Sequence, residues 1–116
     1  MPYYKEINLL FIHIPKTGGT SLETYFKKKY KETLYVGINK SLFLPVKYQN
    51  ISPQHQTYQV LKKYKNLCNI DFNKKLKIIT ILRNPYNRLI SDLFWYKLID
   101  KDDKPEKIYN VIKYKY

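Results

Sequence analysis

The stretch from Leu9 to Phe26, LLFIHIPKTGGTSLETYF, constrains the fold more than any other part of this chain. A run of apolar, β-favouring residues ends at Pro15, and Lys-Thr-Gly-Gly-Thr-Ser follows. After the glycines, Leu22, Tyr25, Phe26 and Tyr30 recur at the spacing of three and four that makes one face of a helix. Ile7 to Ile14 therefore reads as a buried strand and Gly19 to about Tyr30 as a helix. Lys27, Lys28 and Lys29 fall near the helix C-terminus, where cations oppose the negative end of the dipole.

Two of the chain's 3 glycines sit side by side in this turn. A helix N-terminus offers unpaired N–H groups and a partial positive charge, and it binds phosphate or sulfate when the preceding chain can bend round the ligand. Gly18 and Gly19 allow that bend, because they tolerate positive φ and carry no side chain to block an anion. Lys16 adds a mobile positive charge, and Thr17, Thr20 and Ser21 add hydroxyl donors. The turn is built to hold an anion. It is not the ordinary nucleotide-triphosphatase loop, whose lysine follows the last glycine, whereas Lys16 precedes both. The strand aspartate that helps hold magnesium in those enzymes is also missing.

Thr33 to Ile38 reads as a second, weaker strand, and Ser52-Pro53 as the N-cap and first residue of a helix running to about Lys65. Lys77 to Leu82, KIITIL, reads as a third strand, buried like the first. It ends in Arg83, and a helix starts at Pro85 with Leu89, Ile90, Leu93 and Phe94 inward. A charged linker and a short helix carrying Ile108, Val111 and Ile112 close the chain. Alternating strands and helices with non-alternating apolar strands predict an α/β fold, a P-loop-like three-layer core with a small parallel sheet flanked by helices. Residues 1–98 are expected to form the core, and residues 99–116 the linker and C-terminal helix. In a parallel sheet, ligands lie beyond the carboxyl ends of the strands, so Arg83 is expected to share a crevice with the glycine turn. Ser91, two turns further on, can add a hydroxyl. Two separated anion sites suit a nucleotide with phosphates at both ends.

The bulk numbers set limits. With 116 residues there is room for one core, and a net charge of +13 points to an anionic partner. The 13 tyrosines, many beside lysine, raise nucleic-acid binding as a rival reading, although a bias to Lys, Asn, Tyr and Ile along the whole chain explains them more simply. The single cysteine, Cys68, excludes an intramolecular disulfide and a cysteine-rich metal site. No apolar run approaches the ~20 residues of a membrane span. No signal-type leader is seen, so a cytoplasmic location is the default expectation.

The segments FIHIPKTGGTSLE and ILRNPYNRLISDLFW resemble, in that order, the 5′-phosphosulfate loop and the 3′-phosphate-binding segment of sulfotransferases that use 3′-phosphoadenosine 5′-phosphosulfate (PAPS). The likeness is greatest to the carbohydrate-type branch. It implies that Lys16 contacts the phosphosulfate and steadies the leaving oxygen, that Thr17, Gly18, Gly19, Thr20 and Ser21 wrap the 5′-phosphate, and that Arg83 and Ser91 bind the 3′-phosphate. It further implies in-line sulfuryl transfer to an acceptor hydroxyl with PAPS as donor and no metal. Relatives often carry a histidine between the two motifs, which makes His55 the candidate base; the alternative is a helix-start histidine that only bonds locally. His13 is expected to support the loop or pack in the core. Arg88 and Asp92, four apart, are expected to pair on their helix.

Sulfotransferase domains of this kind are usually longer. The chain is thus expected to be a minimal enzyme, one part of a homo-oligomer that completes its site between subunits, or a truncated relative that keeps the loop and has lost the chemistry. The basic surface suits an acidic polysaccharide acceptor, and equally an acidic tyrosine-containing peptide. The rival of a different class is a non-catalytic protein that binds a nucleotide, nucleic acid or another polyanion.

Overall fold

A computed structural model describes residues 1–30, 33–35 and 40–115. At its centre lies β2, Leu9–Ile12, the core of the expected first strand. Its neighbours are β1, Tyr3–Tyr4, and β4, Lys77–Thr80, while β3, Thr33–Leu34, pairs with β1, giving the order β3-β1-β2-β4. β2 and β4 run parallel in the register Leu9↔Lys77 to Ile12↔Thr80; β1 is antiparallel to both β2 and β3. The sheet is therefore mixed, with its parallel pair on the two strands that the motifs follow. The expected strand from Thr33 begins where predicted, and its continuation over residues 36–38 lies outside the described residues.

β2 is buried on both faces, which is why its sequence is continuous rather than alternating in polarity. Leu10 packs with Met1, Tyr3, Leu44, Leu61 and Cys68 on one side. Leu9 and Phe11 pack with Tyr4, and with Leu22 and Phe26 of α1, Gly19–Lys29, on the other. Each fully buried leucine or phenylalanine contributes roughly 1.5–3 kcal/mol of transfer free energy. The result is helix, sheet and helix in three layers, a small α/β unit. The second helical layer is built from α2, Val46–Gln49, α3, Tyr58–Lys63, and α4, Lys65–Cys68.

Several local expectations change. The residues before β2 form a 3-10 turn, Lys5–Ile7, closed by Asn8 in the left-handed region at φ 47°. The helix expected from Ser52 starts instead at Thr57, whose hydroxyl accepts from the Val60 N–H at 3.3 Å; Pro53–His55 is a separate 3-10 turn. Pro53 does open a helical turn, but Gln56 in an extended conformation ends it before the α-helix begins. β4 was expected to be buried and is not: Ile78 is 46% exposed, because β4 has β2 on one side and no further strand among the described residues on the other. Only Ile79 and Ile81 reach the core.

The chain divides into two compact units, Met1–Leu82 and Arg83–Tyr116. In the second, α5, Pro85–Trp95, starts at Pro85 as expected, and the Asn84 side chain caps it by accepting from Tyr86 and Asn87 N–H at 3.0 and 3.3 Å. α6, Pro105–Lys115, packs against it through Leu93, Ile99 and Val111. Phe94, expected to point inward, is 41% exposed. Among the described residues no helix is long and apolar enough to cross a membrane.

Tyr4 is fully buried, yet its hydroxyl has no hydrogen-bond partner among the described residues. Burial, with the Glu23 carboxylate nearby, pushes that phenol up to about 12. An unsatisfied buried hydroxyl carries a desolvation cost, so Tyr4→Phe is expected to stabilise the fold by about 1 kcal/mol, measured by urea denaturation.

Candidate functional site

β2 delivers the chain at Ile12 into a tight turn that enters α1. Two residues there take positive φ, Lys16 at 62° and Gly18 at 89°. For lysine the left-handed region costs of order 1 kcal/mol, and such strain is characteristic of ligand-holding loops. Thr17 is buried, and its hydroxyl donates to the Ile14 carbonyl at 2.8 Å. That bond fixes the turn from inside and leaves the backbone N–H as the group Thr17 can offer a ligand. Gly18, Thr20 and Ser21 are exposed, at the positive end of an eleven-residue helix.

The two glycines serve different needs. A β-carbon on Gly18 would meet nothing within 4 Å, so this glycine is required by its backbone angle alone. A β-carbon on Gly19 would overlap the imidazole of His13. The His13 ring covers the first residue of α1 and leaves no room for a side chain.

His13 is itself held from three directions. Its Nδ1 pairs with Oε1 of Glu23, a carboxylate buried on α1. Its ring stacks on Phe11 with centroids 5.4 Å apart, and meets the His55 ring edge-on at 5.0 Å. The His55 ring also stands close enough to the His13 backbone to feel it, so it lies at the end of β2 beside the turn. Its own place is set by the 3-10 turn, in which the His55 N–H donates to Ser52 O at 2.9 Å. The next residue, Gln56, is buried; its amide donates to the Tyr48 carbonyl at 2.7 Å, to Ser41 Oγ at 3.0 Å and to the Ile51 carbonyl at 3.1 Å. That anchor ties the whole 41–56 loop to the base of His55.

Loss of solvent around its ring pushes the His55 pKa below the ordinary imidazole range, and a charge on His13 pushes it the same way. A smaller opposing effect comes from the His13 backbone. His55 therefore remains neutral, and able to accept a proton, to lower pH than a free imidazole.

Lys16, Thr17, Gly18, Gly19, Thr20, Ser21 and His55 thus all lie in the first unit, around the carboxyl end of β2. Arg83 and Ser91 belong to the second: Arg83 is exposed just ahead of the Asn84 cap, and Ser91 is half-buried on α5. The expected pair forms on that helix, with Arg88 Nη2 4.0 Å from Asp92 Oδ2. Sequence reasoning passed over Glu23 and Gln56. Glu23 had a faint signal, a lone acid one helical turn after Gly19 in a strongly basic chain; Gln56 had none, because an amide hub depends on carbonyls brought together only by the fold.

A family model described as Sulfotransferase family matches residues 3–116. No curated protein and no solved structure matches the chain.

Substitution at the two glycines should separate their roles. Gly18→Ala is expected to cost about 1 kcal/mol in chemical denaturation while the His13 ring signals stay in place. Gly19→Ala is expected to displace the ring, read as a change in the His13 ring resonances in NMR spectra.

Proposed function

Because this chain belongs to the sulfotransferase family, we propose that it transfers a sulfuryl group from PAPS to an acceptor hydroxyl, and that the acceptor is a carbohydrate. The observation that carries this reading is the Lys16 to Ser21 turn at the N-terminus of α1 with an imidazole of lowered pKa beside it. The turn fits the phosphosulfate end of the donor: it offers backbone N–H groups at the positive helix end, an open face over Gly18 and a lysine at its rim.

In the reaction the acceptor oxygen forms a bond to sulfur as the bond from sulfur to the bridging phosphate oxygen breaks. The proton leaves the acceptor hydroxyl for His55. Negative charge grows on the bridging oxygen, and Lys16 with the α1 N–H groups stabilises it there, where fixed donors are worth more than mobile water. By the same resemblance Arg83 and Ser91 are assigned the 3′-phosphate. The donor's sulfate is activated already, so the protein's part is to position, to take one proton and to steady the leaving group.

The rival polyanion reading drew on lysine beside tyrosine. Several of those pairs serve the chain's own surface: Lys47 Nζ stands 4.9 Å from the Tyr48 ring centre, Lys63 Nζ 5.6 Å from Tyr64, and Lys113 Nζ 4.9 Å from Tyr114. Cation–π contacts of this kind give the tyrosines a use without nucleic acid.

Calorimetric titration with 3′-phosphoadenosine 5′-phosphate, without magnesium, tests the reading. Binding at least about tenfold tighter than AMP, a gap of about 1.4 kcal/mol, is expected. Lys16→Ala should weaken both ligands, and Arg83→Ala should erase the preference for the 3′-phosphate. Absence of binding by the intact chain would leave a relative that has kept the loop and lost the chemistry.

A further inference from the structure

His13 and Glu23 have no part in the reaction as written, although they form a largely buried polar contact in the first unit. The Glu23 carboxylate is buried on α1, and the His13 imidazole is all but buried at the end of β2, with side-chain exposures of 9% and 7%. A buried carboxylate is costly unless paired, and replacing the pair with apolar groups would cost little. The pair therefore calls for a reason beyond stability, and its neighbours supply one. The ring that Glu23 holds is the ring that covers Gly19 and meets His55 at 5.0 Å.

We propose that Glu23 and His13 are a positioning pair for the transfer centre: Glu23 fixes the His13 ring, and the ring sets both the first turn of α1 and the seat of His55. The proposal rests on the reading of His55 as the base. A carboxylate only accepts hydrogen bonds, so the proton of the contact belongs on His13 Nδ1. The pair then does two things for His55. It fixes the ring that His55 meets edge-on at 5.0 Å, and a charge on that ring disfavours a second charge on His55. The groups facing His55 are His13 from β2, Glu23 from α1, the amino group of Met1, and Gln54, whose Nε2 lies 3.2 Å from His55 Nε2. The Met1 amine is itself pushed down to about 4 by burial and is uncharged near neutral pH. Among the side chains, His13 pushes the His55 pKa down and Glu23 pushes it up.

The sign follows directly. His13→Gln keeps a donor for Glu23 and removes the ring and its charge, so the His55 midpoint should move up, toward that of an ordinary imidazole. Glu23→Gln removes the anion that holds the Nδ1 proton, so the His13 ring nitrogen resonances should shift. The chain has only 2 histidines, so ring nitrogen NMR of the intact, histidine-labelled protein resolves both, with His55→Gln for assignment. An unchanged His55 midpoint in His13→Gln, with wild-type thermal unfolding, overturns the proposal. So does an unchanged His13 spectrum in Glu23→Gln, and that variant carries the test alone if His13→Gln fails to fold. Both responses in a chain that ignores 3′-phosphoadenosine 5′-phosphate would keep the pair and overturn the reading on which it rests.

Discussion

Everything in the first unit depends on the burial of β2 from both sides. Four residues, Leu9–Ile12, place Leu10 in one apolar cluster and Leu9 and Phe11 in another, and so tie two helical layers to one strand. A strand held this way cannot slip by one residue without exchanging its two sets of side chains between faces. Its end is consequently a fixed point. The strained backbone at Lys16 and Gly18 persists because β2 on one side and α1 on the other over-determine the turn between them.

From that fixed point the proposed site takes shape through short links. Thr17 closes the turn from within, His13 covers Gly19, Glu23 holds His13, and His55 arrives from a loop whose own geometry is set by the Gln56 amide. None of these contacts is large in energy. Their value to the proposed reaction lies in geometry, since a group that must take a proton or meet a growing charge gains most when it does not have to be reorganised first. A family of sulfotransferases is a natural home for such a centre, because the donor arrives activated and asks for placement more than for force.

Much of this was legible in the residues, and the limits of legibility have physical causes. The strand, turn and helix around Gly18 and Gly19 were readable because period, propensity and glycine all agree there. The start at Pro85 was equally plain, with Asn84 as its cap. The misplaced helix start illustrates a different case: Ser52-Pro53 has the right chemistry for a cap, but the same chemistry opens a 3-10 turn, and Thr57 takes the role five residues later. The exposure of Ile78 could not be read at all, because a continuous apolar run says that a strand is buried somewhere and not how many neighbours it has. β1, with two residues, is too short to leave a periodic signal. Tyr25 shows the opposite failure, an aromatic residue at a core spacing that ends 57% exposed while the acid Glu23 goes inside. A helix face is chosen by what waits opposite it, and here an imidazole was waiting.

The parallel pairing of β2 with β4 has a consequence for how the molecule comes into being. Leu9 faces Lys77, so more than half of the chain separates the two strands. During synthesis the turn from Lys16 to Ser21 is complete as a sequence long before β4, the strand that pairs with β2, has left the ribosome. Contacts between such distant segments are slow to form. The strand that leads into the turn must then wait for a late neighbour to complete its pairing, and the binding proposed for the turn would be among the last properties the nascent chain acquires.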